Sequence, residues 1–529
     1  MTVALTRAEP TPRLVTIVRW LVVILLGQMA TVMIVTAVQQ TPTIDEPVYV
    51  GTAVTYLDQH SLRYNPEHPP LGKLIIAAGL ALADPRMDPG FDGNQSELGR
   101  HVLYEAGNEP GLLMLLARAP MIVLTLLFGL VVFAFARDLT NPAGGLLALS
   151  LYAFSPDVIT HGSLATLDLP AAGFLLTAVW LTWRARNAGP WPYLIMAGVV
   201  LGFALATRAS ALPAVPAIMG LAFWGVRRWL APLVVAVAAT AVVWLSHLAV
   251  DPGLHWVTPD GLPDIHGWRS VLTDLLPFPQ AYRDGMRLQF GMEDTTFRGF
   301  LFGQRYEGAR WYYLPAALLV KTPLGMLALW AAAVVAVIRR PAAVYLLAPP
   351  VLLLAVAMTG ARNYGTRYAI VVPLFLAVAA AGLVVVRHRW VSAVAVVLAV
   401  SVAVSSISTF PYYLPYSNEA FGGTAHTHRN LHDANVDWGQ DLGRLARRLR
   451  TEYPGEPVWL VYKGAGVPQA YGITARDPLQ VPSTEVRGLL VVSNSAVALA
   501  RGPLAGLLAS SGAPIDQVGH SMSIYRREP

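Results

Sequence analysis

The 529-residue sequence contains no cysteine, which removes disulfide frameworks, thiolate metal sites and cysteine nucleophiles together. It is also short of charge. Asp, Glu, Lys and Arg make up only 13% of it, against about 25% in soluble domains, so the chain cannot cover a water-facing surface in the ordinary way. The alternating ten-residue segments of a spanning β-barrel are missing. No internal repeat of the kind that marks inverted-repeat transporters is visible either.

Apolar residues make up 55%. They come in blocks that suit a hydrocarbon core of roughly 30 Å, which takes about 20 residues of helix. A helix satisfies its own backbone in lipid, so the blocks predict an all-α polytopic membrane protein. About eleven spans can be drawn, at 14–38, 112–136, 142–154, 169–184, 191–206, 211–226, 229–250, 313–337, 342–359, 368–386 and 390–410. No small-residue cleavage site follows the first, which reads as a retained span.

The formal charge of +6 matters less than its placement. Basic residues favour the cytoplasmic ends of spans. With the N-terminal tail inside, carrying Arg7, Arg13 and Arg19, the inner connections hold Arg137, Arg184, Arg186, Arg227, Arg228, Arg339, Arg340, Arg387 and Arg389. Loops 39–111, 155–168, 251–312 and 360–367 then lie outside a plasma (inner) membrane, as does the region 411–529. That region has soluble composition. Val458–Lys463, Gly488–Val492 and Ser521–Arg526 read as strands, and Leu442–Arg450 and Ala496–Ser510 as helices. A small extracytoplasmic α/β domain is expected there.

Polar chemistry gathers on the outer side. Asp45-Glu46 follows the first span, where a carboxylate can serve as a general base or be an ordinary solvated acid. His68 and Lys73 flank Pro69-Pro70, which force an extended chain and then allow a helix to start. That puts both near a helix N-terminus, where anions are favoured; the plainer alternative is an interfacial helix with a snorkelling lysine. His161 reads as a site imidazole or a satisfied interfacial histidine, and Asp168 also as an N-cap. Arg208, Arg305, Arg310, Lys321, Arg362 and Arg367 are the cations of this face. A lysine inside a span is a functional candidate, and a lipid phosphate suits such groups, as do anionic headgroups. Asp433, Asn435, Asp437, Gln440 and Asp441 line a polar groove, cap the helix from Leu442 or bind a cation; a full Ca²⁺-loop pattern is missing. His426, His428 and His432 give a weak metal signal.

These motifs, in their order, resemble a known group. Asp45-Glu46, His68-Pro69-Pro70-Leu71-Gly72-Lys73, Ser155-Pro156 with His161-Gly162, Asp168-Leu169-Pro170, Leu319-Val320-Lys321-Thr322-Pro323-Leu324, Arg367-Tyr368 and Asn435-Val436-Asp437-Trp438-Gly439-Gln440-Asp441-Leu442 look like landmarks of the protein O-mannosyltransferase family and its bacterial relatives. Those relatives include the lipid A aminoarabinose transferases and other phospholipid-carrier-dependent glycosyltransferases of the GT-C superfamily. The resemblance covers about residues 14–445.

The resemblance implies a GT-C catalytic module over 1–410, with 411–529 as a separate domain. It implies an inverting transferase that moves a hexose or pentose from a polyprenyl-phosphate donor to a hydroxyl of a glycan, glycolipid or protein. Asp45 would be the general base, assisted by Glu46 and supported by Asp168. Lys321, Arg367 and Arg208, with Lys73 and His68, would meet the donor phosphate, while His161, Asn435, Asp437 and Gln440 would support the acceptor side. The chain carries no β-trefoil-like insertion, which weighs against a protein acceptor. Family members differ over metal use, and a divalent cation held by Asp45, Asp168, His161 and the Asp437 region stays open. Membrane lipids are expected partners and nucleic acid is not. The rival readings are a non-catalytic scaffold and a lipid-sugar transporter or flippase.

Overall fold

The computed structural model describes residues 12–187, 189–386 and 388–528. Arg7 and Arg387, two of the arginines assigned to the inner side, lie outside them. The chain is mostly helical, and a helix occupies each of the apolar blocks. Among the described residues six helices are long and apolar enough to cross a membrane: Pro12–Gln39, Pro110–Leu139, Pro190–Thr207, Ala209–Val226, Leu230–Val250 and Arg389–Ser408. Pro142–Ala153 and Pro156–Gly162, bent by 66°, make a seventh if taken as one broken span. Leu324–Val337, Ala343–Ala357 and Val371–Val385 are apolar but shorter. Many outward side chains are large and apolar, among them Trp20, Ile24, Val237, Leu245 and Val397. That surface suits lipid, and the chain is a multi-pass membrane protein.

Two stretches differ from the expectation. Residues 155–168 are a buried segment rather than an open polar loop. Ser155 caps the short helix Pro156–Gly162 through the Val158 amide, and Asp157, His161 and Asp168 are all buried. The block 313–337 is two helices, Tyr313–Lys321 and Leu324–Val337. Pro323 cannot continue the ladder, and Asn418 fills the break, its side-chain amide donating to the carbonyls of Leu319 (2.7 Å) and Thr322 (2.9 Å). Irregular backbone at such depth persists only where other groups satisfy it.

Among the described residues two small sheets complete the fold. In the 251–312 connection, β1 (Arg298–Leu301) and β2 (Gln304–Glu307) form a hairpin that the sequence reading did not contain. Phe302 and Gly303 both adopt positive φ, as a two-residue hairpin turn requires. Near the C-terminus, β3 (Val458–Val461), β4 (Gly488–Ser493), β5 (Asp516–Val518) and β6 (Met522–Arg527) pair in the order β3-β4-β6-β5, with β3 parallel to β4 and the rest antiparallel. Strand alternation sorts the core. Leu489 and Val491 face the helix Leu442–Glu452, whereas Leu490 and Val492 face the helix Gly502–Ser511. The helix expected over Ala496–Ser510 is two, Asn494–Leu499 and Gly502–Ser511. Gly502 has positive φ at the break, and the Arg305 guanidinium donates to the freed carbonyls of Ala498 and Ala500.

Candidate active site

The helix Pro12–Gln39 ends just before a turn that carries Asp45 into the helix Glu46–Asp58. This turn is strapped to the segment 438–442. The Thr41 amide donates to the Gln440 carbonyl and the Ile44 amide to the Trp438 carbonyl, each at 3.0 Å. The Thr41 hydroxyl donates to the Gly439 carbonyl and accepts from the Leu442 amide. Gly439 sits at φ +92°, and a Cβ there would lie 2.7 Å from Gly464 Cα, so this crossing needs glycine.

Asp45 and Glu46 diverge from this turn. Glu46 is fully buried. Its two oxygens accept from Arg118 Nε (2.7 Å) and Nη2 (2.6 Å), from the Ala165 amide, and from the amide and hydroxyl of Thr43. Burial pushes its carboxyl up, but Arg118 and these donors outweigh that and hold it below the usual range. Arg118 also donates to the carbonyls of Ala37, Gln40 and Thr41. Glu46 therefore joins three segments, and both its oxygens are taken up by these donors rather than turned towards Asp45's open side. Arg118 was missed, although an arginine inside an apolar block is a signal in itself.

Asp45 keeps 27% of its side chain exposed and pairs with Arg367 Nη1 at 2.5 Å. Arg367 lies over the rings of Trp438 (4.5 Å) and Tyr368 (5.0 Å). A second pair stands beside the first: Asp168, at the start of the helix Asp168–Arg184, bonds Arg208, whose guanidinium also faces Tyr368 at 5.9 Å. Arg208 Nε and Arg367 Nε are both buried without a hydrogen-bond partner among the described residues. His68 completes the group, edge-on to Tyr49 at 5.8 Å. Burial, then the charges of Arg208, Lys73, Arg362 and Arg367, hold its imidazole well below the usual range, so it is neutral. The site thus offers a partly open carboxylate beside two guanidiniums with unsatisfied nitrogens.

Other expected residues are turned elsewhere. Lys73 is buried, donating to the carbonyls of Asn65 and His68 (2.7 Å each). Lys321, also buried, donates to the carbonyls of Leu414 (2.5 Å) and Asn435 (3.2 Å) and lies 3.8 Å from Asp157. Both ammonium groups are engaged by backbone carbonyls, and that of Lys321 also faces the Asp157 carboxylate. Asn435 bridges the Thr366 amide and the Tyr313 hydroxyl, and Gln440 folds back on Trp438 and Val436. His161 packs edge-on to Trp438, and its buried Nδ1 has no hydrogen-bond partner among the described residues. Asp437 is fully buried, receives the Gly439 amide, and is pushed up to about 7 by burial. Arg362 grips Glu293, and Arg310 lies over Tyr306. Among the described residues no three His, Asp or Glu side chains converge to hold a metal. Asp45, Asp168, His161 and Asp437 are not brought together as ligands, and neither are His426, His428 and His432.

Lys73, Lys321 and Lys463 are the only lysines in the sequence. The third, after β3, pairs with Asp433, whose backbone amide donates to the Ser495 hydroxyl at 2.8 Å. This contact ties the C-terminal sheet to the 433–437 segment.

Residues 22–251 match the family described as dolichyl-phosphate-mannose-protein mannosyltransferase. Over that stretch the chain is similar to a class of membrane glycosyltransferases, and the resemblance read from its motifs holds. No curated protein matches the chain. Solved structures that align with it include ArnT from Cupriavidus metallidurans in the apo state, at 13% identity over 95% of this chain and 97% of that one, with a TM-score of 0.48. The same protein bound to undecaprenyl phosphate aligns at 11% identity with the same coverage and TM-score. The S. cerevisiae Pmt1–Pmt2 complex bound to the sugar donor aligns at 18% identity over 43% of this chain and 32% of that one, with a TM-score of 0.31.

Proposed function

We propose that the protein is an inverting glycosyltransferase that moves a hexose or pentose from a polyprenyl-phosphate donor to an acceptor hydroxyl at the outer face of the inner membrane. Residues 1–410 form its GT-C membrane module, with eleven spans and a cytoplasmic N-terminus, and residues 411–529 form an extracytoplasmic domain. The family match and the polar clusters at one end of the helices support this reading. The observation that carries it is the Asp45–Arg367 pair beside the Asp168–Arg208 pair.

The acceptor hydroxyl attacks the anomeric carbon and gives its proton to Asp45. The bond from that carbon to the phosphate oxygen breaks, and the lipid phosphate leaves with the electron pair. A phosphate monoester is stable as an anion, so no general acid is needed. Arg367 and Arg208 face the developing charge with donors already in place. A phosphate on Arg367 competes with Asp45 for the guanidinium, so donor binding itself frees the base. Glu46, Lys73 and Lys321 hold the backbone around the site.

The test uses purified protein in lipid with a panel of radiolabelled polyprenyl-phosphate hexoses and pentoses, and a crude acceptor extract. Wild type is expected to consume one donor and Asp45→Asn none. Absence of both donor turnover and donor binding across the panel would leave the scaffold reading in its place.

A further inference from the structure

A cavity of about 590 Å³ opens between the 39–111 and 251–312 connections, and the chemistry above does not use it. That volume falls within the roughly 300–1,000 Å³ of small-molecule sites. Residues 63–67 and 94–95 form one wall, and residues between Pro259 and Thr295 form the other.

The first wall is rich in polar groups that are already fixed. Gln95 Nε2 donates to Glu67 Oε1 at 2.7 Å, and Gln289 donates to the Glu67 carbonyl at 3.3 Å. Asn65 is anchored by Lys73 through its carbonyl and its side-chain oxygen. Glu67 Oε2 has no protein partner among the described residues. Pro263, Leu288 and Met292 also line the cavity, as does Tyr64. The one cation of the lining, Arg63, is paired with Asp92.

This combination selects a ligand class. A carboxylate with a free oxygen, side-chain amides and no unpaired cation disfavours an anionic phosphate. The polar wall disfavours a polyprenyl tail, which would leave these groups unpaired. The β1–β2 hairpin contributes nothing to the lining, so no open strand edge is offered to a peptide. Vicinal hydroxyls against carboxylate and amides, with C–H faces against proline, methionine and tyrosine, are the features of a sugar. The same loop leads to the reaction centre: residue 67 lines the cavity, and the next residue, His68, contacts Tyr49 beside the two guanidiniums.

We propose, resting on the glycosyl-transfer reading, that this cavity seats the neutral, hydroxyl-rich carbohydrate part of the acceptor and directs one hydroxyl towards Asp45. The acceptor is then a glycan or the sugar portion of a glycolipid.

The test uses the full-length protein in lipid nanodiscs and a set of diazirine-tagged neutral di- to tetrasaccharides of hexoses and pentoses. Photolabel is expected on peptides spanning 63–67, 94–95 or 259–295, and untagged saccharide should compete it away. Thr295→Trp, at an exposed position on the rim, should block the cavity and abolish the label. Glu67→Gln should weaken saccharide binding by about tenfold, as expected for loss of a hydrogen bond to a charged group. Label elsewhere, label unchanged in Thr295→Trp, or competition by Ser/Thr peptides alone would overturn the proposal. Turnover of the donor panel with the crude acceptor extract is read on the same preparations. Its absence in wild type would remove the transferase reading, whereas intact turnover with no specific label would remove only this one.

Discussion

Arg118 and Glu46, 72 residues apart in sequence, meet through two hydrogen bonds of 2.7 and 2.6 Å with both side chains almost wholly buried. The pair binds the end of the first helix to the turn that presents Asp45. One of two adjacent acids is thereby fixed in the interior and the other left open.

Breaking this pair from one side leaves an uncompensated buried charge, which costs roughly 3–5 kcal/mol. Arg118→Met is therefore expected to lower the Tm in detergent sharply. The double variant Arg118→Met/Glu46→Leu should recover much of that loss. A single variant as stable as wild type would show the pair to be dispensable.

Asp45→Asn removes the proposed base and keeps the shape. Transfer should fall by about 10²- to 10⁴-fold, the range of general-base contributions, with the Tm unchanged and donor binding retained. Turnover near wild type in a folded variant would exclude Asp45 as the base.

Arg367 and Lys321 should separate in kinetics. Arg367→Lys keeps the charge but loses the planar fork, so the donor KM should rise by about 10- to 100-fold, matching a lost hydrogen bond to a charged group. Lys321→Met frees the carbonyls of Leu414 and Asn435 and should act mainly on Tm. A donor KM shift in Lys321→Met equal to that of Arg367→Lys would give the lysine a direct phosphate role.

Asp437 makes stability depend on pH in a defined direction. Burial raises its carboxyl to about 7 from an unfolded value of 3.8. Between those values the unfolded chain releases a proton that the folded chain keeps, so this group's contribution falls as pH rises from about 4 to about 7 and stays low above. Asp437→Asn should gain Tm relative to wild type at pH 8 and lose that advantage towards pH 4. A difference independent of pH would refute the assignment.

Local features were legible in the sequence. Pro69-Pro70 predicts an extended segment and then a helix, and Pro70–Leu80 follows. The apolar blocks predict helices, and the soluble tail predicts strands that form within a residue or two of their expected ends. Partners far apart in sequence were not legible. Pro323 marks a break, but that Asn418 fills it depends on a contact across 96 residues. Lys73 and Lys321 read as phosphate ligands because an ammonium among apolar residues needs a partner, and nothing in a linear motif says that the partner is backbone carbonyl. The 435–442 motif reads as a polar groove, while its observed role, strapping the turn before Asp45, joins residues about 400 apart.

The scarcity and placement of lysine have a practical consequence. Two of the three ε-amines are shielded inside the fold, and the third is ion-paired and 30% exposed. Amine-directed reagents such as N-hydroxysuccinimide esters should leave these native lysines almost unmodified. One lysine introduced on the surface would then be a nearly unique chemical handle for dyes, tethers or cross-linkers.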